Sequence, residues 1–325
     1  MLEFPRDRGS HPGHRIEWWY VTGHLATKDG ARTGLGFQVT FFRVRNRDAE
    51  SNPSRFSPSQ LLFAHAAIAD PSAGRLLHAQ RSARMLQGLV EAGEGETRLR
   101  LDNWSLEREG TRYRARVADA DFALELELEA TQPPMLQGDR GFSRKAADPV
   151  YASYYYSEPQ LRVTGRVTRK GKAADVEGVA WLDHEWSSTL LAPEAAGWDW
   201  IGANMDDGSA LMVFRMRTRD GATAWAAGTR RSAGGVVETL PAESIVFAPG
   251  RTWRSPRTGV TYPVEMEVRA GGRRWTVAAL LDDQELDARA STGTLYWEGA
   301  VRLSGEGGAG RGYLELTGYG ERVPF

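Results

Sequence analysis

Hydrophobic and polar residues alternate along most of this chain with a period of two. In "FALELELEA", Phe122, Leu124, Leu126 and Leu128 fall on one face, and Glu125, Glu127 and Glu129 fall on the other. "TLYWEGAVRL" repeats the pattern, with Leu295, Trp297, Val301 and Leu303 against Tyr296, Glu298 and Arg302. Successive side chains of a strand point to opposite faces, so this alternation predicts antiparallel strands with one apolar face and one wet face. Turn clusters such as "TKDGA", "ADPSAG", "MDDGS" and "RAGG" separate the segments at hairpin spacing. In "GFQVTFFRVRNR" the apolar parity switches from Phe37, Val39 and Phe41 to Phe42 and Val44, as a β-bulge would produce. The arginines there, Arg43, Arg45 and Arg47, share a face that reads as solvated. One stretch, Ala79 to Val90, reads as a helix, and the rest of the pattern is all-β.

Two irregular segments interrupt the strands. Residues 45–60 form a polar stretch, and Thr131 to Ser157 is long, rich in Pro and Gly, and ends in three tyrosines. Its aromatic ending favours an ordered binding loop or lid. A second series of strands starts after "LLAPEAAG", which puts a boundary in residues 189–197 and divides the chain into 1–190 and 191–325. Strands at these spacings suit a sandwich or a barrel. Aromatic and small residues alternate in Trp18/Tyr20/Thr22 and in Trp198/Trp200/Gly202, which favours a ligand-holding barrel over a dry sandwich core.

Composition narrows the function classes. With 41 Lys and Arg against 42 Asp and Glu, the chain is close to neutral, which argues against a general nucleic-acid binder. No apolar run is long enough to span a membrane as a helix. The absence of Cys excludes disulfides, thiolate metal sites and Cys nucleophiles. The first residues, "MLEFPRDRGS", do not read as a signal peptide; either there is none or the numbering starts after its removal. Eleven tryptophans exceed what an ordinary core requires.

Those tryptophans gather where the ionisable groups are, in "RIEWWY", "VAWLDHEWSS" and "GWDWIGANMDDG". On a strand, Asp183 and Glu185 face one way with Trp181, while His184 and Trp186 face the other. Asp199 lies opposite Trp198 and Trp200. Ile16, Trp18, Tyr20 and His24 share a face, and Glu17 stands with Trp19 and Val21 on the other. A buried carboxylate in such a setting commonly fixes a Trp N–H, a Tyr O–H or an Arg. The recurrence of His, acid and Trp near the boundary also suits a site. "HEWSS" lacks the second His of a zincin, "GFSRK" is no nucleophile elbow, and "GLGFQV" is no dinucleotide fingerprint. His11 and His14 read as solvated loop residues, and no metal site is expected.

Taken together, "FPRDRGSHPGHRIEWWYVTGHL", "FAHAAIAD", "LQGDRGFSRK", "ASYYYSEPQL", "WLDHEWSS", "GWDWIGANMDDGSALMVFRMR", "YWEGAV" and "GRGYLELTGYG" resemble the AttH/CrtC-like lipocalin family, which includes carotenoid 1,2-hydratases and predicted secreted hydrolases. The resemblance runs through nearly the whole chain. It implies two tandem lipocalin-like β-barrel domains with the ligand region near their junction, no cofactor, and a periplasmic or secreted location, with a cytoplasmic one left open. It also implies a long apolar ligand, terpenoid, polyene or lipid. The expected chemistry is cofactor-free acid/base work such as hydration of an isoprenoid double bond. A carrier without chemistry, working beside an exporter or a membrane surface, and a hydrolase of an apolar ester are the alternatives. Alkene hydration needs a carboxylic acid kept protonated near neutral pH, and burial among aromatics does this. Asp183 and Asp199 are the first candidates for the acid, followed by Glu185 and Glu17. His184, in the family's H-x-W pattern with Trp186, would be a base or orient the acid. Trp186, Trp198, Trp200, Tyr154, Tyr156, Trp18 and Tyr20 are the candidates for the aromatic wall.

Overall fold

The computed structural model of the chain describes residues 1–31, 34–46, 49, 54, 57–85 and 89–320. It is all-β, with only single-turn 3₁₀ segments such as Arg6–Arg8 besides the strands. Two large antiparallel sheets follow one another. The first runs from Ile16–Thr27 to Lys172–Thr189, and the second from Gly197–Met205 to Gly310–Thr317.

In the first sheet the opening strand Ile16–Thr27 pairs on one side with Leu35–Arg45 and on the other with Lys172–Thr189. Chain start and chain end of this half are thereby neighbours, and the sheet curls into a nearly closed barrel. Arg81 helps to close it from the strand Leu76–Arg84, reaching Asn103 and the carbonyl of Ala118 and lying 4.8 Å over the Trp104 ring. Trp19, Phe37, Val39, Phe41, Leu124, Leu126 and Leu128 fill the interior. The second sheet is a half-barrel that packs around Ile201, Val213, Tyr262, Trp275, Trp297 and Leu314.

A third apolar cluster joins the two. It takes Tyr20, Trp181 and Tyr155 from the first sheet and Trp200, Met212, Phe214, Tyr296 and Tyr313 from the second. Where the strands meet, both of their faces are covered, as at residues 180–187 of Lys172–Thr189. Polar groups in the junction find partners across it: His24 Nε2 lies 2.9 Å from the carbonyl of Gly312, His65 Nδ1 lies 2.7 Å from the Tyr296 hydroxyl, and Asn204 donates to the carbonyl of Ala180. The approach is close at Gly36, where a Cβ would stand 2.5 Å from the Ala300 methyl.

Three expectations change. Leu76–Arg84 is a strand, not a helix, because it pairs in register along Gln60–Ala69; sheet pairing overrides a weak helical pattern, and residues 86–88 lie outside those described. The register between Ile16–Thr27 and Leu35–Arg45 runs through Phe41 and Phe42 without a bulge. The parity switch arises because Phe41 enters the barrel core while Phe42 faces the junction. Arg43 is not solvated: it is fully buried, directly opposite Glu17 across the two strands. Arg47 lies outside the described residues.

Glu17 and Arg43 anchor the end of the first barrel. Arg43 Nε donates to Glu17 Oε2 at 2.8 Å, and its remaining donors reach Gln60 and the carbonyls of His11 and His14. Glu17 Oε1 lies 2.7 Å from His11 Nδ1 and 2.9 Å from His184 Nε2. Burial opposes the Glu17 charge, but the hydrogen bonds from His11 and His184 and the Arg43 charge outweigh it and hold the carboxyl well below the usual range. Removing one partner of such a buried pair leaves an uncompensated charge. Arg43→Met is therefore expected to cost about 3–5 kcal/mol in denaturant unfolding. Adding Glu17→Gln should recover part of that loss, and a double variant that loses the sum of the two single losses would show that the pair does not couple.

Candidate functional site

Between the sheets lies a cavity with an empty volume of about 950 Å³, including its open mouth. The first sheet contributes Trp18 and Tyr20 from its opening strand, and Asp183 and Glu185 from Lys172–Thr189. The second contributes Trp198 and Trp200 from Gly197–Met205, Phe214 and Met216 from Ala210–Arg217, and Glu298 and Glu315 from its last two strands. Four carboxyls thus face an aromatic space. Among the described lining residues Lys145 is the single cation. It comes from the long Thr131 to Ser157 segment, whose short strands Met135–Leu136 and Phe142–Arg144 pair with Ala152–Arg169.

The period-two alternation decides which candidates meet. Asp183 and Glu185 point into the cavity, and Lys145 Nζ is 2.7 Å from Glu185 Oε1, which also accepts from the Ser153 hydroxyl. Lys145 further lies 4.3 Å over the Phe214 ring and 5.0 Å over that of Tyr155. Among the described residues Asp183 has only neutral hydrogen-bond partners. Its Oδ1 accepts from the Ser157 hydroxyl at 2.5 Å and from Trp181 Nε1 at 2.6 Å, and its Oδ2 accepts from the Tyr155 hydroxyl at 2.6 Å. Trp200 Nε1 in turn donates to the Tyr155 oxygen at 3.0 Å, so an aromatic residue of the second sheet braces the acid of the first. Burial pushes the Asp183 carboxyl up to about 7, against the three hydrogen bonds that favour its anion, and Glu185 adds repulsion.

His184 and Trp186 lie on the other side of the same strand, inside the first barrel. His184 is stacked on Trp19 with ring centres 4.4 Å apart, and Trp186 is stacked on His11 at 3.7 Å. The His184 ring lies between Glu17 and the Tyr156 hydroxyl, and burial pushes it down to about 4 against the pull of Glu17. Tyr156 is buried in the barrel core, and Tyr154 is 37 % exposed beside Trp186. These four residues do not reach the cavity. Nor does Asp199, which faces away from Trp198 and Trp200. It is held by Arg215 Nε at 2.7 Å, Arg217 Nε at 2.8 Å and the Tyr319 hydroxyl at 3.1 Å. Two arginines hold it in place.

His11, far from being a solvated loop residue, joins Glu17 and His184 in a group whose ligand atoms lie within 4.8 Å of one another. A metal could be imagined there. However, both imidazole nitrogens facing Glu17 are already at hydrogen-bond distance from it, and Arg43 neutralises the carboxylate.

Glu298 and Glu315 escape a sequence reading. Their alternation with Trp297 and Leu316 looks like a wet face, and only the docking of a second sheet onto that face makes them cavity residues.

Known proteins with this architecture place the chain. It matches the AttH-like family over residues 1–319. A crystal structure of a Nitrosomonas europaea protein assigned to AttH shares 50 % identity and superposes with a TM-score of 0.91, over 98 % of this chain and 97 % of that one. Kievitone hydratase from Nectria haematococca shares the fold at 15 % identity, with a TM-score of 0.72 over 98 % of this chain and 93 % of that one. CghA in complex with Sch210972 shares it more distantly, at 13 % identity and a TM-score of 0.51, over 93 % of this chain and 89 % of that one. A search of curated proteins finds no match. The architecture is the pair of lipocalin-like barrels that the sequence motifs imply, and the chain belongs to the AttH-like family.

Proposed function

We propose that the protein binds an apolar, unsaturated molecule of terpenoid or polyene type between its barrels and adds water to a double bond by acid/base chemistry without a cofactor. The observation that carries this reading is Asp183: a buried carboxyl in an aromatic cavity, with three neutral donors and no cation, titrating at about 7. Such an acid is partly protonated at neutral pH and can give its proton to carbon. Trp18, Trp198 and Trp200 offer ring faces to the carbocation that results, each worth about 2 kcal/mol or more in a desolvated site. The fold neighbours fit this reading, since one of them is named as a hydratase.

Carriage without chemistry is the second reading, and it would suit a role beside an exporter or a membrane surface, in the periplasm or outside the cell. Glu185 favours it, because its charge is paired with Lys145, as expected of a carboxylate that only shapes a cavity. Asp183, without a cation, favours catalysis.

Incubating the protein with a panel of acyclic isoprenoids, squalene and geraniol among them, in heavy-oxygen water should yield an alcohol carrying the label, read by mass spectrometry. Molecules that bind but never gain water would support the carrier. Asp183→Asn should lower turnover by about 10²–10⁴-fold while the fold is retained; full activity in that variant would remove Asp183 from the chemistry.

The acid works only while protonated. Turnover is expected to fall as pH rises through about 7, the value to which burial pushes Asp183. A pH profile flat from 5 to 9 would contradict the assignment.

A further inference from the structure

The second sheet brings its own proton-handling group to the cavity. Glu298 and Glu315 stand directly opposite each other across the strands Thr294–Ser304 and Gly310–Thr317, and both line the cavity. Glu298 is 2 % exposed and Glu315 half-buried. Like charges in directly opposed positions repel. Among the described lining residues no cation is free to relieve this: Asp183 and Glu185 are acids, and Lys145 is held by Glu185; the hydrogen bonds from Tyr20 and Tyr296 to Glu298 and from Trp198 to Glu315 lower the two carboxyls but are outweighed by burial. Burial raises both carboxyls; the Glu315 charge raises Glu298 further, and the Glu185 and Asp183 charges raise Glu315. Gln38 Nε2 reaches across from the first sheet and fixes Glu298 Oε2 at 2.8 Å. Beside them the Tyr20 hydroxyl, on a side chain only 5 % exposed, stands next to Glu298 and favours its anion.

We propose that Glu298 and Glu315 share a single proton and act as one unit, the base that holds and deprotonates the attacking water. The idea rests on the hydration reading above. The Asp183 proton goes to one alkene carbon, and the π electron pair forms the new C–H bond. The cation left on the neighbouring carbon accepts a lone pair of the water held at the pair, which forms the C–O bond. The water's proton passes to the ionised member of the pair. The pair then releases a proton to solvent and Asp183 regains one, so the net change is alkene plus water to alcohol. Two carboxyls sharing a proton suit this role, because the unit keeps one negative charge at neutral pH in a site where two could not both ionise.

Infrared difference spectra of the ligand-free full chain across pH read the sharing without a substrate. Recorded on Asp183→Asn, so that the Asp183 carboxyl does not contribute, they should show one protonated carboxyl lost on the alkaline side of neutrality. Both Glu298→Gln and Glu315→Gln should move the titration of the remaining partner toward acid by about tenfold or more in proton affinity. If either variant leaves the other carboxyl titrating as before, or if both carboxyls are already ionised at pH 7, the shared proton is disproved. With squalene or geraniol, each variant should lose about 10²–10⁴-fold in turnover together with the acid-side limb of the pH profile. Unchanged turnover in both, with Asp183→Asn inactive, would overturn the base role and leave the hydration reading standing. Absence of hydration by the wild-type chain would overturn the base role with that reading, while the infrared titration still decides whether the pair shares a proton.

Discussion

The structure depends on one constraint: the strands at the junction of the two sheets are covered on both sides. Ile16–Thr27, Leu35–Arg45 and residues 180–187 of Lys172–Thr189 bury one face in a barrel core and the other against a second sheet. A polar group on either face must then find its partner inside the protein, since leaving one unpaired costs about 1–3 kcal/mol. That requirement explains the bonds that His24, His65, Gln38 and Asn204 make across the junction. It also explains Gly36, where the sheets come too close for a side chain.

The same constraint separates two kinds of acid on adjacent positions of the same strands. Glu17 and His184 face the first barrel, where Arg43 supplies a full counter-charge and the carboxylate stays ionised. Asp183, one residue from His184, faces the junction, where neutral donors surround it and burial dominates. Charge pairing decides between them, because both are deeply buried. Asp199 repeats the first case with two arginines. A carboxylate among tryptophans is therefore not enough to mark chemistry in this fold; the absence of a cation is what distinguishes Asp183.

Much of this was legible before any coordinates. Alternation identified the strands, the split of "WLDHEW" into two faces, and the position of Glu17 with Trp19, because a period of two is a local property of the chain. What failed was anything that depends on what covers a face. Arg43 reads as solvated and Glu298 as wet because the covering elements are far away in sequence. Glu17 sits 167 residues from His184, and Gln38 sits 260 residues from Glu298. The Ala79 to Val90 segment failed for a related reason, since its strand character comes from a partner strand and not from its own pattern. The candidate site was thus half visible: Asp183, Glu185, Trp198, Trp200, Trp18 and Tyr20 do line one cavity, while Lys145, Glu298 and Glu315 could be found only through tertiary packing.

The connection between the sheets is itself part of this packing. Leu190, Leu191, Ala192 and Ala195 are buried, and Leu190 lines the cavity. The segment is a piece of wall and not a loose tether. Neither half carries a complete binding surface, so exchanging one barrel for that of a distant relative would bring in half a cavity cut to a different ligand. Changing the shape of this cavity therefore calls for matched substitutions on the two sheets.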